Sequence, residues 1–174
     1  KMKENNIAYI DGQNLHLWLQ SAWWNMDYKR FRQYLKDKFC VETAYYFLWY
    51  VNEECQTLYE SLQKAWFIVY FREHSQSLEG KKKWNVDTDI VFETMKTIIE
   101  NKKFDKIVLV SWDWDYIKMV KYLIQKNIFK NILFPNNKYS SLYKSIKPQY
   151  GINLSLFDIR KKIEYFKQTK KEMS

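Results

Sequence analysis

Lys106-Ile107-Val108-Leu109-Val110-Ser111-Trp112-Asp113-Trp114-Asp115-Tyr116 is the stretch that decides the fold. Four consecutive aliphatic residues, Ile107 to Val110, leave no polar face, as expected of a strand covered on both sides. A strand over 106–111 therefore reads as the centre of a sheet between two layers of helices. The helix that follows, over 116–126, carries Ile117, Val120, Leu123 and Ile124 at helical spacing. Asp113 and Asp115 stand at the junction between the two.

Working outward, the same alternation repeats. Ile7-Ala8-Tyr9-Ile10 is a short buried strand ending in an Asp11-Gly12 turn. Asp27 caps a helix over 28–38 with Phe31 and Leu35 on one face, and a strand follows over 41–51. A helix over 54–65 (Leu58, Leu62, Ala65) and a strand over 67–71 come next. A polar loop over 73–85, with Lys81-Lys82-Lys83, leads to a helix over 86–100 that turns Val91, Met95, Ile98 and Ile99 to the core. Beyond the central motif lie a strand over 131–134 stopped by Pro135, a short helix over 141–146, a strand over 153–157 and a helix from Asp158. Strands alternating with helices imply parallel βαβ units, so the fold class is α/β, a three-layer Rossmann-like domain with a mainly parallel central sheet. One domain spans 1–166, and 167–174 is a charged tail.

The 174 residues suffice for one sizeable core, and the 47% hydrophobic and 28% charged composition excludes a disordered chain. Cys40 and Cys55 match no zinc spacing and read as free thiols. The first apolar run is far too short for a signal peptide, and no stretch approaches the roughly 20 apolar residues that span a bilayer, so a cytoplasmic location is expected. A net charge of +9 favours a polyanionic partner through counterion release, though a lysine-rich composition accounts for it equally well. Lys81, Lys82 and Lys83 before the middle helix are candidate nucleic-acid contacts, and Lys29, Arg30 and Arg32 on the first long helix add to a basic rim; a lysine run also reads as a solvated loop.

In open α/β sheets, ligands bind beyond the carboxyl ends of the strands, at the switch in strand order. Acids gather there: Asp11 after the first strand, Asp113 and Asp115 after the central one, and Asp87 and Asp89 at the start of the middle helix. Carboxylates brought together repel each other, and a hard divalent cation resolves the repulsion; all-oxygen ligands suit Mg²⁺ or Mn²⁺ rather than zinc. Such an ion activates water and offsets charge on a phosphodiester. Asn14 and Ser111 are candidates for positioning substrate or ligands. Each acid alone has a plainer reading: Asp11 as a turn residue, Asp87 as a helix N-cap, Asp113 and Asp115 as a solvated loop. The metal reading requires Asp11 and Asp113 to lie within about 12 Å of each other, the reach of a pair of bridging ions.

Taken in order, Tyr9-Ile10-Asp11-Gly12-Gln13-Asn14-Leu15, Asn85-Val86-Asp87-Thr88-Asp89, Val108 to Tyr116, Phe134-Pro135-Asn136 and Ser140-Ser141-Leu142 resemble the NYN-domain family, and its LabA-like branch in particular. The resemblance implies a PIN-like fold and metal-dependent ribonuclease activity on RNA, probed best as an endonuclease. It also implies a metal and catalytic set of Asp11, Asp87, Asp113 and Asp115, with Asp89 as an additional acid. The family's motif after the fourth strand reads Ser-Gly-Asp-x-Asp, often with a second Gly between the acids. Here Trp112 and Trp114 stand in those places. Trp49, Trp66 and Trp84 also fall at positions where relatives carry Gly, and Trp18 with one or both of Trp23 and Trp24 extend the pattern. The chain has 3 Gly, where average usage gives about 12, and 8 Trp. A source gene that reads UGA as glycine, translated with UGA as tryptophan, accounts for both; genuine base-stacking tryptophans are the alternative. Two indoles beside Asp113 would narrow the cleft, strain the turn and weaken activity.

Three other functions compete. Asp87-Thr88-Asp89 prompts a HAD-type phosphotransferase, but such enzymes place the pair after the first strand. Asp113-Trp114-Asp115 is formally a DxD glycosyltransferase motif, which is common by chance. A catalytically weak or inactive RNA-binding, regulatory module is the serious rival. A dinucleotide-binding enzyme is disfavoured because Gly12 is alone in its turn.

Overall fold

A computed structural model of the chain describes residues 4–22, 24–48, 55–71, 86–100, 103–135 and 145–165. Six strands, β1 (Asn6–Asp11), β2 (Val41–Leu48), β3 (Ile68–Phe71), β4 (Ile107–Val110), β5 (Phe129–Phe134) and β6 (Gly151–Asn153), form one sheet in the order β3-β2-β1-β4-β5-β6. Every pairing is parallel. The helices are α1 (Gly12–Ser21), α2 (Tyr28–Phe39), α3 (Gln56–Lys64), α4 (Asp87–Ile99), α5 (Ile117–Gln125) and α6 (Phe157–Ile163). The mixed α/β, Rossmann-like architecture expected from the alternation is the one observed.

Successive strand residues point to opposite faces, and this divides the core in two. Ala8, Ile10, Val108 and Val110 pack with Leu15, Phe31, Leu35, Leu62 and Ile163 from α1, α2, α3 and α6. Ile7, Tyr9, Ile107 and Leu109 pack with Ile90, Val120 and Leu123 from α4 and α5. Both faces being covered is why β1 and β4 are buried along their whole length. Full burial of an aliphatic side chain stabilises by roughly 1.5–3 kcal/mol, so the central strands anchor the fold.

The chain winds outward from β1 through β2 to β3, then crosses back to place β4 on the other side of β1. The switch point is therefore between β1 and β4. Their register runs from Ile7 opposite Ile107 to Ile10 opposite Val110. Asp11 and Ser111, one residue further on, leave the sheet side by side.

Four expectations need correction. The segment read as an Asp11-Gly12 turn opens a helix at once: α1 starts at Gly12 and Asp11 is its N-cap. Alternating Leu15, Leu17 and Leu19 hide the helical stripe, which is Leu15, Trp18 and Leu19. Gly12 is needed for close approach, since a Cβ there would collide with the Tyr46 ring and lie 2.5 Å from the Phe47 carbonyl oxygen. On α4 Val91, Met95 and Ile98 pack partly buried against the core as expected, but the fully buried residues are Ile90, Thr94 and Thr97, and Ile99 is 78% exposed. Thr97 can be buried because its hydroxyl pairs with that of Tyr9 at 2.7 Å, an option that apolar periodicity does not register. The last strand ends at Asn153 rather than 157, because the Asn153 side chain captures the Ser155 N–H at 2.8 Å and turns the chain. Arg32 is no part of a basic rim: it donates to the carbonyls of Val41 and Glu42 at the start of β2, the end of the strand away from the acids.

Trp66 is the unusual backbone position. Ala65 caps α3, Trp66 N–H bonds the Gln63 carbonyl and Phe67 N–H bonds the Leu62 carbonyl, at 2.9 and 3.1 Å. This is the Schellman closure, whose left-handed residue is usually glycine. Trp66 fills it at φ 63° with its indole 84% exposed. Among the described residues the other non-glycine positions with positive φ are Cys40 and Asn127. Trp112 and Trp114 are not among them, so the strain expected at that turn does not take the form of a left-handed backbone.

Candidate metal centre

The end of β1, the first turn of α4 and the loop after β4 converge at the switch point. Asp11 emerges from the sheet only 2% exposed. Its Oδ1 accepts the Asn14 N–H at 2.9 Å, capping α1, and its Oδ2 accepts the Ser111 hydroxyl at 3.3 Å. Ser111 Oγ in turn accepts the Asp113 N–H at 3.1 Å. One hydroxyl thus bridges Asp11 and the start of the β4 loop, well inside the separation that a shared metal site requires. The plain turn-residue reading of Asp11 is half right: it caps a helix, yet its carboxylate is buried among other acids.

Asp113 accepts the Asp115 N–H at 3.1 Å and so starts a single 3-10 turn, Trp114–Tyr116, that runs into α5. This turn sets Asp113 and Asp115 toward α4. The N-cap of α4 is Val86, not Asp87, which removes the capping explanation for that acid. Asp87, Asp113 and Asp115 each present a carboxylate oxygen within 4.8 Å of the others. Asp11 and Asp89 are outside this trio, Asp11 beneath it and Asp89 two residues further along α4.

Burial pushes the Asp11 carboxyl up to about 7. The Asn14 N–H opposes the shift, the negative Asp87 reinforces it, the Tyr116 hydroxyl opposes it and Asp113 adds to it. Such crowding of acids is relieved by a cation. The donor set contains only carboxylate oxygens, contributed by the start of α4 and the loop after β4, and suits a hard ion.

Asn14 closes the arrangement from α1, its Oδ1 accepting the Trp112 N–H at 3.4 Å. Ser111 and Asn14 both bind the backbone of the β4 loop, accepting the N–H groups of Asp113 and Trp112. Tyr116 is the residue that sequence reasoning missed. Fully buried, it places its hydroxyl 2.6 Å from Asp87 Oδ1 and 3.1 Å from Asp11 Oδ2. Its place directly after the acidic pair, on a helix start, was the available signal. Trp112 is partly buried against the core, and Trp114 is 54% exposed at the rim beside Asp113. Lys81, Lys82 and Lys83, with Trp49, Trp84 and the 167–174 tail, lie outside the described residues. Among the described residues no helix is long and apolar enough to cross a membrane.

No curated protein sequence matches the chain. Its fold is similar to the crystal structure of a protein of unknown function from Vibrio parahaemolyticus. The two are 18% identical, with a TM-score of 0.73 over 94% of this chain and 97% of the other. Residues 6–150, from β1 through the acidic loop to the turn before β6, match the family model of the NYN domain. The chain belongs to the NYN-domain family.

Proposed function

We propose that this protein is a Mg²⁺- or Mn²⁺-dependent ribonuclease that hydrolyses RNA phosphodiester bonds by internal cuts, and that it belongs to the LabA-like branch. The observation that carries the reading is the meeting of Asp87, Asp113 and Asp115 within 4.8 Å at the switch point of a NYN-domain sheet. NYN membership suggests a PIN-like nuclease, and that architecture uses divalent metals with acidic ligands.

In this reading Asp87, Asp113 and Asp115 hold the cation, and Asp11 completes the acidic set from beneath. When bound, the cation supplies a water acidic enough to attack near neutral pH and compensates charge on the phosphodiester. Ser111 and Asn14 fix the β4 loop, so that Asp113 meets its partners without reorganising. Lys81, Lys82 and Lys83 draw the phosphate backbone toward the acids, and Asp89 serves as a further acid at the edge. The net charge of +9 supports a polyanionic substrate.

A second reading, an RNA-binding module with little or no cleavage, is favoured by one observation: Trp114 stands exposed beside Asp113, where the family pattern has no bulk. The Schellman position of Trp66 supports the view that the natural product carries glycine at 66. The test is Mn²⁺-dependent cleavage of single-stranded RNA by this chain, by its Trp112→Gly/Trp114→Gly form and by each with Asp113→Asn. Cleavage that needs both Mn²⁺ and Asp113 supports the nuclease. RNA binding without cleavage in the glycine form selects the binding module.

A further inference from the structure

We infer that the Tyr116 hydroxyl is a positioning group for the acidic site, locking the carboxylate of Asp87 in the orientation that binds the cation. The inference rests on the nuclease reading above and adds a residue to it. Tyr116 ends the 3-10 turn and caps α5, Asp87 begins α4 and Asp11 ends β1, so one buried oxygen ties together three elements far apart in sequence. The contact with Asp87, at 2.6 Å, is among the shortest in the molecule, and it fixes the rotation of that carboxylate about its Cβ–Cγ bond. Asp87 is the trio's only member on α4; Asp113 and Asp115 are held by the 3-10 turn and by Ser111.

The ring and the hydroxyl do different work. The ring packs in the core with Ile90, Met119 and Val120, which phenylalanine would reproduce. The hydroxyl faces only acids. A phenol has one proton, so it donates to one carboxylate at a time, and the shorter contact assigns that proton to Asp87.

Mn²⁺ titration by calorimetry of the parent chain, Tyr116→Phe, Asp113→Asn and Thr97→Val tests this, with urea unfolding to follow the fold. Thr97→Val removes another buried hydroxyl, the partner of Tyr9 in the same core layer, and controls for core damage. The expected result is Mn²⁺ affinity weakened about 10- to 100-fold in Tyr116→Phe and unchanged in Thr97→Val. In RNA cleavage, raising Mn²⁺ restores the kcat of Tyr116→Phe, as a ligand-orienting role requires. Unchanged Mn²⁺ affinity in Tyr116→Phe, alongside loss in Asp113→Asn, overturns the role of Tyr116 and leaves the metal site standing. Failure of the parent chain to bind Mn²⁺ overturns both. If Tyr116→Phe does not fold, Asp11→Asn is added to relieve the buried charge, and the double variant is compared with Asp11→Asn alone; equal affinities overturn the inference.

Discussion

The floor and the rim of the acidic site are built on different terms. On the floor, Asp11, Ser111 and Tyr116 are each at most 2% exposed and joined by hydrogen bonds that all end on Asp11 or Asp87. At the rim, Asp115 is exposed, Trp114 is more than half exposed, and the acids are set by a single 3-10 turn. The floor is positioned by the sheet and cannot move without disturbing β1 and β4. The rim is positioned by local turn chemistry, the Asp113 cap of the 3-10 turn.

The largest effect expected is at the rim. Asp113→Asn removes the charge of one of three clustered carboxylates and leaves a capping oxygen for the turn, so Mn²⁺-dependent cleavage falls to background with the fold intact. Residual cleavage within a few fold of the parent would show that the rim acids are not the working group. The next concerns the rim's bulk. Trp112→Gly with Trp114→Gly raises the cleavage rate by about 10- to 100-fold, the scale on which misplacement of reacting groups acts. No gain, with the fold intact, removes the tryptophans from the account of activity.

The floor is tested by pH. Burial raises the Asp11 carboxyl to about 7 from the 3.8 of an exposed, unfolded aspartate, so the folded state holds its proton more tightly. Its contribution is favourable below pH 4 and is lost as pH rises through 7, leaving the metal-free protein less stable above that window. Asp11→Asn keeps a capping side chain and removes the titration, so it is more stable than the parent at pH 8 by on the order of 2 kcal/mol, with the difference shrinking toward pH 4. A difference between the two proteins that does not change with pH would contradict the buried-acid account. The smallest effect lies away from the site. Trp66→Gly relieves a left-handed backbone and stabilises by about 1 kcal/mol in urea unfolding. A loss of stability there would mean that the indole, despite its exposure, makes contacts that matter.

The two regions also differ in how far the sequence disclosed them. The four-residue aliphatic run of β4 with acids directly after it, and the matching end of β1, fixed the switch point, because a doubly covered strand and a strand-end acid are local patterns. Asp87 was legible for the same reason, as an acid opening a helix. Tyr116 was not, because an aromatic at a helix start is ordinary core material until the fold brings two carboxylates to its hydroxyl. Thr94 and Thr97 were passed over on α4 because their burial depends on side chains from other elements, among them Tyr9 for Thr97, 88 residues away in sequence. Trp66 could be flagged only through the family pattern; its left-handed backbone is a property of the α3 to β3 turn and has no apolar periodicity to betray it.

Crystals soaked in Mn²⁺ and measured at the manganese absorption edge test the central claim most directly. The account predicts an anomalous peak bounded by the carboxylates of Asp87, Asp113 and Asp115, lost in Asp113→Asn. A peak confined to other residues, or none at millimolar Mn²⁺, would contradict it.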